Sequence, residues 1–117
     1  MTLKPKNTET GKKKEKDVVR WLKSHGWEIL YKGGRGPADI EAKRGSTKWF
    51  IQVKYTRSRE ISLARFGKER KDLIKLAEKS HATAVLCSVV RNTVWFDSAK
   101  NSKELARGFL RERLRES

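Results

Sequence analysis

Apolar residues recur along this chain in two rhythms, one of helices and one of strands. Val18, Val19 and Leu22 share one face at helical spacing, which predicts a helix from about Thr8 to Ser24, stopped by Gly26. "WEILY" from Trp27, "ADIEAK" from Ala38 and "KWFIQVKY" from Lys48 then read as three strands with Gly-rich or charged connections. A second helix is expected from about Phe66 to Ser80, with Phe66, Leu73, Ile74 and Ala77 on one side. "ATAVLCSVV" from Ala82 is a buried strand, and "TVWF" from Thr93 a short one after a turn around Arg91 and Asn92. The last segment, residues 101–116, reads as a closing helix. Asn101 and Glu104 have the spacing of a capping box, and Leu105, Phe109 and Leu114 would face inward. The order is α-β-β-β-α-β-β-α, an α/β fold whose mixed central sheet is flanked by helices. A chain of 117 residues predicts one domain, 1–117, with residues 1–7 as a flexible basic tail.

The connection between the second and third strands fixes more than their existence. "KRGSTK" places Gly45 and Ser46 where a two-residue hairpin turn begins with glycine. Trp49 then opposes Ala42, Ile51 opposes Ile40, and Gln52 opposes Asp39. Because side chains alternate along a strand, Ile40, Ala42, Trp49, Ile51 and Val53 share the core face. Asp39, Glu41, Phe50, Gln52 and Lys54 share the other. A carboxylate, an amide and an ammonium therefore meet on neighbouring strands, with Lys54 diagonal to Asp39. A slip of one residue at the turn would undo this alignment.

Charge changes the picture next. The 29 Lys and Arg against 14 Asp and Glu give a formal charge of +15, more than solubility requires, and point to a polyanionic partner. Nucleic acid is the first candidate, because each neutralised phosphate releases counterions, and an anionic membrane surface is the second. No apolar run is long enough to span a bilayer, and the first residues lack the apolar stretch of a secretion signal, which predicts an intracellular, cytoplasmic protein. Cys87 stands alone within an apolar run and reads as a core residue. His25 and His81 have no companions at zinc-ligand spacing. Trp21, Trp27, Trp49, Trp95, Tyr31 and Tyr55 could stack on bases, but their spacing assigns most of them to packing.

Glu15 is the residue that gives the hairpin chemistry. It lies three, four and seven positions before Val18, Val19 and Leu22, so it projects from the apolar stripe of the first helix; the alternative is a solvated first-turn acid that favours the helix dipole. Were it to approach Asp39 within ~4 Å, the two charges would repel by about 4 kcal/mol at an effective dielectric of ~20. A hard divalent cation would relieve that repulsion, held by Glu15, Asp39, the amide oxygen of Gln52 and the main-chain carbonyl of Val53. Lys54 could orient a water molecule and offset charge on a phosphate. Basic residues flank these positions and would follow phosphates: Lys12, Lys13, Lys14 and Lys16 around the acid, Lys32 and Arg35 before Asp39, Arg57 and Arg59 after Lys54.

Taken together, "GKKKEKDVVRWLKSHGWEIL", "GPADIEAKRG" and "FIQVKYT" resemble the PD-(D/E)xK nuclease superfamily and, within it, the archaeal Holliday junction resolvases, over roughly residues 8–96. The resemblance implies a restriction-endonuclease-like αβββαβ core, here extended by a C-terminal strand and helix. It also implies Glu15, Asp39, Gln52 and Lys54 as the catalytic set, Mg2+ or Mn2+ as cofactor, and a homodimer acting on branched DNA such as a four-way junction. Gln52 departs from the pattern, since the resolvases carry Glu there: the amide keeps one oxygen donor and loses a charge. Gln-x-Lys variants occur in the same superfamily among enzymes that act on modified DNA. Two alternatives accompany the resolvase reading: a nuclease for modified or damaged DNA, and a basic DNA-binding protein that has kept the fold without the chemistry.

Overall fold

In the computed structural model, residues 15–60, 64 and 66–111 are described. A helix, α1, covers residues 15–24 and ends in a turn where Gly26 takes φ +88°, a conformation that strains any side chain with a Cβ. Three strands follow, β1 (Glu28–Arg35), β2 (Ala38–Arg44) and β3 (Thr47–Tyr55). A second long helix, α2 (Gly67–Lys79), leads into β4 (Thr83–Val90), β5 (Thr93–Ser98) and β6 (Glu104–Phe109). The strands form one sheet in sequence order, β1 to β6, antiparallel throughout except where α2 crosses over and β3 and β4 run parallel. This is the mixed α/β architecture expected.

Two apolar clusters sandwich the sheet. Val18, Val19, Trp21 and Leu22 of α1 pack with Trp27, Ile40, Ala42, Trp49, Ile51, Val85, Cys87, Val89, Val94 and Phe96. Leu73 and Ala77 of α2 pack with Phe66, Phe50, Ala84 and Leu86 on the opposite face. Alternation along β3 and β4 separates the two sets, odd positions toward α1 and even positions toward α2, as a period of two demands. Trp27 and Trp49 lie 4.2 Å apart, and Trp21 lies 4.9 Å from Phe96, so these rings serve packing. Cys87 is fully buried among them.

The hairpin register is the one expected from Gly45-Ser46: Arg44 pairs with Thr47, Ala42 with Trp49 and Ile40 with Ile51, and Gly45 has φ +62°. The expected C-terminal helix over 101–116 is corrected, because residues 104–109 form strand β6, paired with β5. The side chain of Asn101 accepts a hydrogen bond from the Lys103 backbone N–H at 2.9 Å, an Asx turn two residues long, rather than capping a helix at Glu104. Residues 1–14, including the expected tail and the start of α1, and residues 112–117 lie outside the described set.

Candidate active site

The β2–β3 ladder stops at Ile40 and Ile51, and beyond that point β3 continues only against β4. Asp39 stands where the next pair would form. Instead of a peptide carbonyl, its carboxylate accepts the backbone N–H of Val53 at 2.9 Å. Asp39 is half-buried, and burial pushes its carboxyl above the usual range; the Val53 N–H and the nearby Lys54 ammonium pull it down, and Glu69 pushes it up. Glu15, at the described start of α1, is half-buried too, and its carboxyl is raised first by burial and then by the charge of Asp39. Glu15 is thus partly withdrawn from water and near enough to Asp39 to feel its charge. Tyr55 is near enough for both acids to raise its hydroxyl pKa further, after burial has raised it most.

Gln52 lies across from Leu86 of β4, and its Oε1 is buried with no hydrogen-bond partner among the described residues. An acceptor oxygen withdrawn from water and left unsatisfied is costly unless something occupies it. Two carboxylates and an amide oxygen are donors of the chemical kind that Mg2+ or Mn2+ takes, the ions the resemblance implied. Among the described residues no three of His, Cys, Asp and Glu gather into a metal-holding group.

Lys54 is not on Asp39. Its Nζ makes an ion pair with Glu69 of α2 at 3.0 Å and sits 5.4 Å from the centre of the Phe66 ring. Glu69 is the residue that sequence reasoning missed. A parallel crossover carries the start of α2 back to the C-terminal end of β3, where Lys54 lies, and an acid in that first turn was the available signal.

The basic residues divide. Lys16 and Arg57 are exposed, as a phosphate contact requires. Lys12, Lys13 and Lys14, and the side chains of Lys32 and Arg35, lie outside what is described. Arg59 is corrected: Nε donates to Oδ2 of Asp97 at 3.1 Å and Nη2 to Oδ1, and Asp97 is completely buried on β5. A buried carboxylate without its partner is strongly unfavourable, so this guanidinium serves the fold.

A sequence model described as archaeal Holliday junction resolvase (Hjc) matches residues 6–107. The chain belongs to that family. The Hjc of Archaeoglobus fulgidus, described as a Holliday junction resolvase from an archaeal hyperthermophile, has the same fold, with a TM-score of 0.62 and 22% identity over 78% of this chain and 74% of that one. Curated relatives called UPF0102 proteins also match this Hjc-family chain. The one from Erythrobacter litoralis is 38% identical over 53 residues, 43% of this chain and 46% of its own length. The one from Sphingopyxis alaskensis is 38% identical over 58 residues, 46% and 50% respectively. That from Caldicellulosiruptor saccharolyticus is 43% identical over 53 residues, 43% and 45%. The alignments thus span about half the length of the curated relatives. No helix among the described residues is long and apolar enough to cross a membrane.

Proposed function

We propose that this member of the resolvase family is a metal-dependent endodeoxyribonuclease that hydrolyses phosphodiester bonds in branched DNA, working in the cell as a homodimer on four-way junctions. The observation that supports the reading is the Asp39 carboxylate held by the Val53 N–H at the end of the β2–β3 ladder, with Glu15 of α1 near enough to feel its charge. Two half-buried carboxylates, one of them raised by the charge of the other, favour a cation site over an ordinary sheet surface.

Glu15, Asp39, the Gln52 oxygen and the Val53 carbonyl would hold Mg2+ or Mn2+. A divalent ion bound there supplies Lewis-acid polarisation of the phosphate and lowers the pKa of a water molecule. Lys54 contributes an ammonium that orients the attacking water and offsets negative charge growing on the phosphate. Lys16 and Arg57 position the strand through phosphates, which carry no base readout, so selection falls on DNA shape.

Mg2+-dependent nicking of a synthetic four-way junction tests this directly. Asp39→Asn and Lys54→Ala should each abolish cleavage while junction binding persists. Binding without cleavage in both Mg2+ and Mn2+ would leave only a DNA-binding protein of this fold. Gln52 favours a second reading, a nuclease of the same chemistry acting on modified or damaged duplex, since the amide departs from the Glu of the resolvases. Cleavage of such duplexes in preference to the junction would select it.

A further inference from the structure

Lys54 lies within reach of two carboxylates, yet its ion pair is with the one outside the hairpin. The ammonium contacts Glu69 at 3.0 Å, while Asp39 spends an oxygen on the Val53 N–H. A long flexible lysine beside a lone aspartate would settle onto it and compete with any cation for the same oxygens. Two features of α2 prevent that. Glu69 draws the ammonium from one side, and the Phe66 ring, buried at the start of the helix, lies near it on another.

We propose that Glu69 is a positioning residue of this same site: from α2 it holds the Lys54 ammonium away from Asp39. The inference rests on the nuclease reading. Stability does not explain the pair, because the Glu69 side chain is 48% exposed and such surface pairs contribute little. The packing of α2 is carried by Leu73 and Ala77 with Phe66, so the helix does not need an acid aimed at β3. A first-turn acid would favour the helix dipole pointing anywhere. This one points at the lysine of the Gln-x-Lys triplet.

The test uses the full chain with Glu69→Gln, Lys54→Ala and the double variant, each checked for an unchanged melting curve. Mn2+ binding is measured by calorimetry without DNA, and cleavage of a four-way junction is measured at saturating enzyme. Glu69→Gln should weaken Mn2+ binding and slow cleavage by about 10- to 100-fold, the range seen when a partner behind a metal site is removed. Junction affinity should stay within about twofold, because the loss is not one of substrate binding. Adding Lys54→Ala should restore much of the Mn2+ affinity, since no ammonium is left to fall onto Asp39. Glu78→Gln, which removes the Lys100 pair further along α2, should change neither readout.

Unchanged Mn2+ affinity in Glu69→Gln overturns the proposal. So does an equal loss with and without Lys54, because the effect would then not pass through the lysine. The Lys54 ammonium resonance of the metal-free protein keeps this separate from the nuclease reading. A shift on Glu69→Gln supports the hold on the lysine, and no shift overturns it. A wild-type chain that neither binds Mn2+ nor cuts DNA overturns the nuclease reading instead.

Discussion

Glu15 and Asp39 share a consequence that can be measured without any substrate. Both carboxyls keep their protons to higher pH in the folded chain than in the unfolded one, Glu15 through burial and Asp39, Asp39 chiefly through burial with Lys54 and the Val53 N–H opposing. Between the unfolded and folded values the native state binds more protons, so these two groups remove stability as pH rises through that window. Glu15→Gln and Asp39→Asn should therefore raise the melting temperature of the metal-free protein near neutral pH. The gain should shrink on acidification below the ordinary carboxylate range, where the wild-type acids are protonated too. Scanning calorimetry in a chelator at several pH values checks this, and equal or lower melting temperatures at neutral pH would refute it. At this scale much was legible in the sequence. Helical spacing set Glu15 beside the packed residues of α1, and the turn at Gly45-Ser46 gave the register that brings Asp39 to the end of the ladder opposite β3. Glu69 was not legible, because its place beside Lys54 depends on how the chain returns after β3, which no local period records.

Among the elements, β6 is where pattern and structure part. Leu105, Phe109 and Leu114 repeat at a spacing that suits a helix, yet Leu105 and Phe109 are 42% and 59% exposed. The inward positions are Ala106, Gly108 and Leu110, two residues apart, and two of them are too small to register as hydrophobic signal. Gly108 pairs with Val94 directly over the Trp21 indole, and a Cβ there would lie 2.7 Å from Nε1. That ring is buried and stacked on His25, at 3.8 Å between centroids, so it cannot easily yield. Gly108→Ala should destabilise the fold by about 1–3 kcal/mol, the usual cost of overpacking, as read from urea unfolding. The same substitution at Gly67, where an added Cβ meets nothing, should change stability far less.

For the molecule as a whole, the charge of +15 predicts DNA binding that weakens steeply with salt. Each phosphate contact contributes about 0.9 to the slope of log affinity against log salt. Arg57→Ala should flatten that slope by roughly one contact. Arg59→Ala should leave it unchanged while lowering stability, because its guanidinium serves the buried Asp97. Fluorescence anisotropy across a salt series separates the two. Composition pointed to a polyanion, but only the tertiary arrangement shows that Arg59 is already paired with Asp97. The short circuit between Asp39 and the Val53 amide has a last implication for anyone altering this protein. A side chain that substitutes for a peptide group ties the position of the Asp39 carboxylate to the spacing of two strands. Alanine at position 39 would remove the charge and also let the gap zip shut. Asparagine keeps an oxygen in place and removes the charge alone, so a loss of cutting with the amide and with alanine would have different origins.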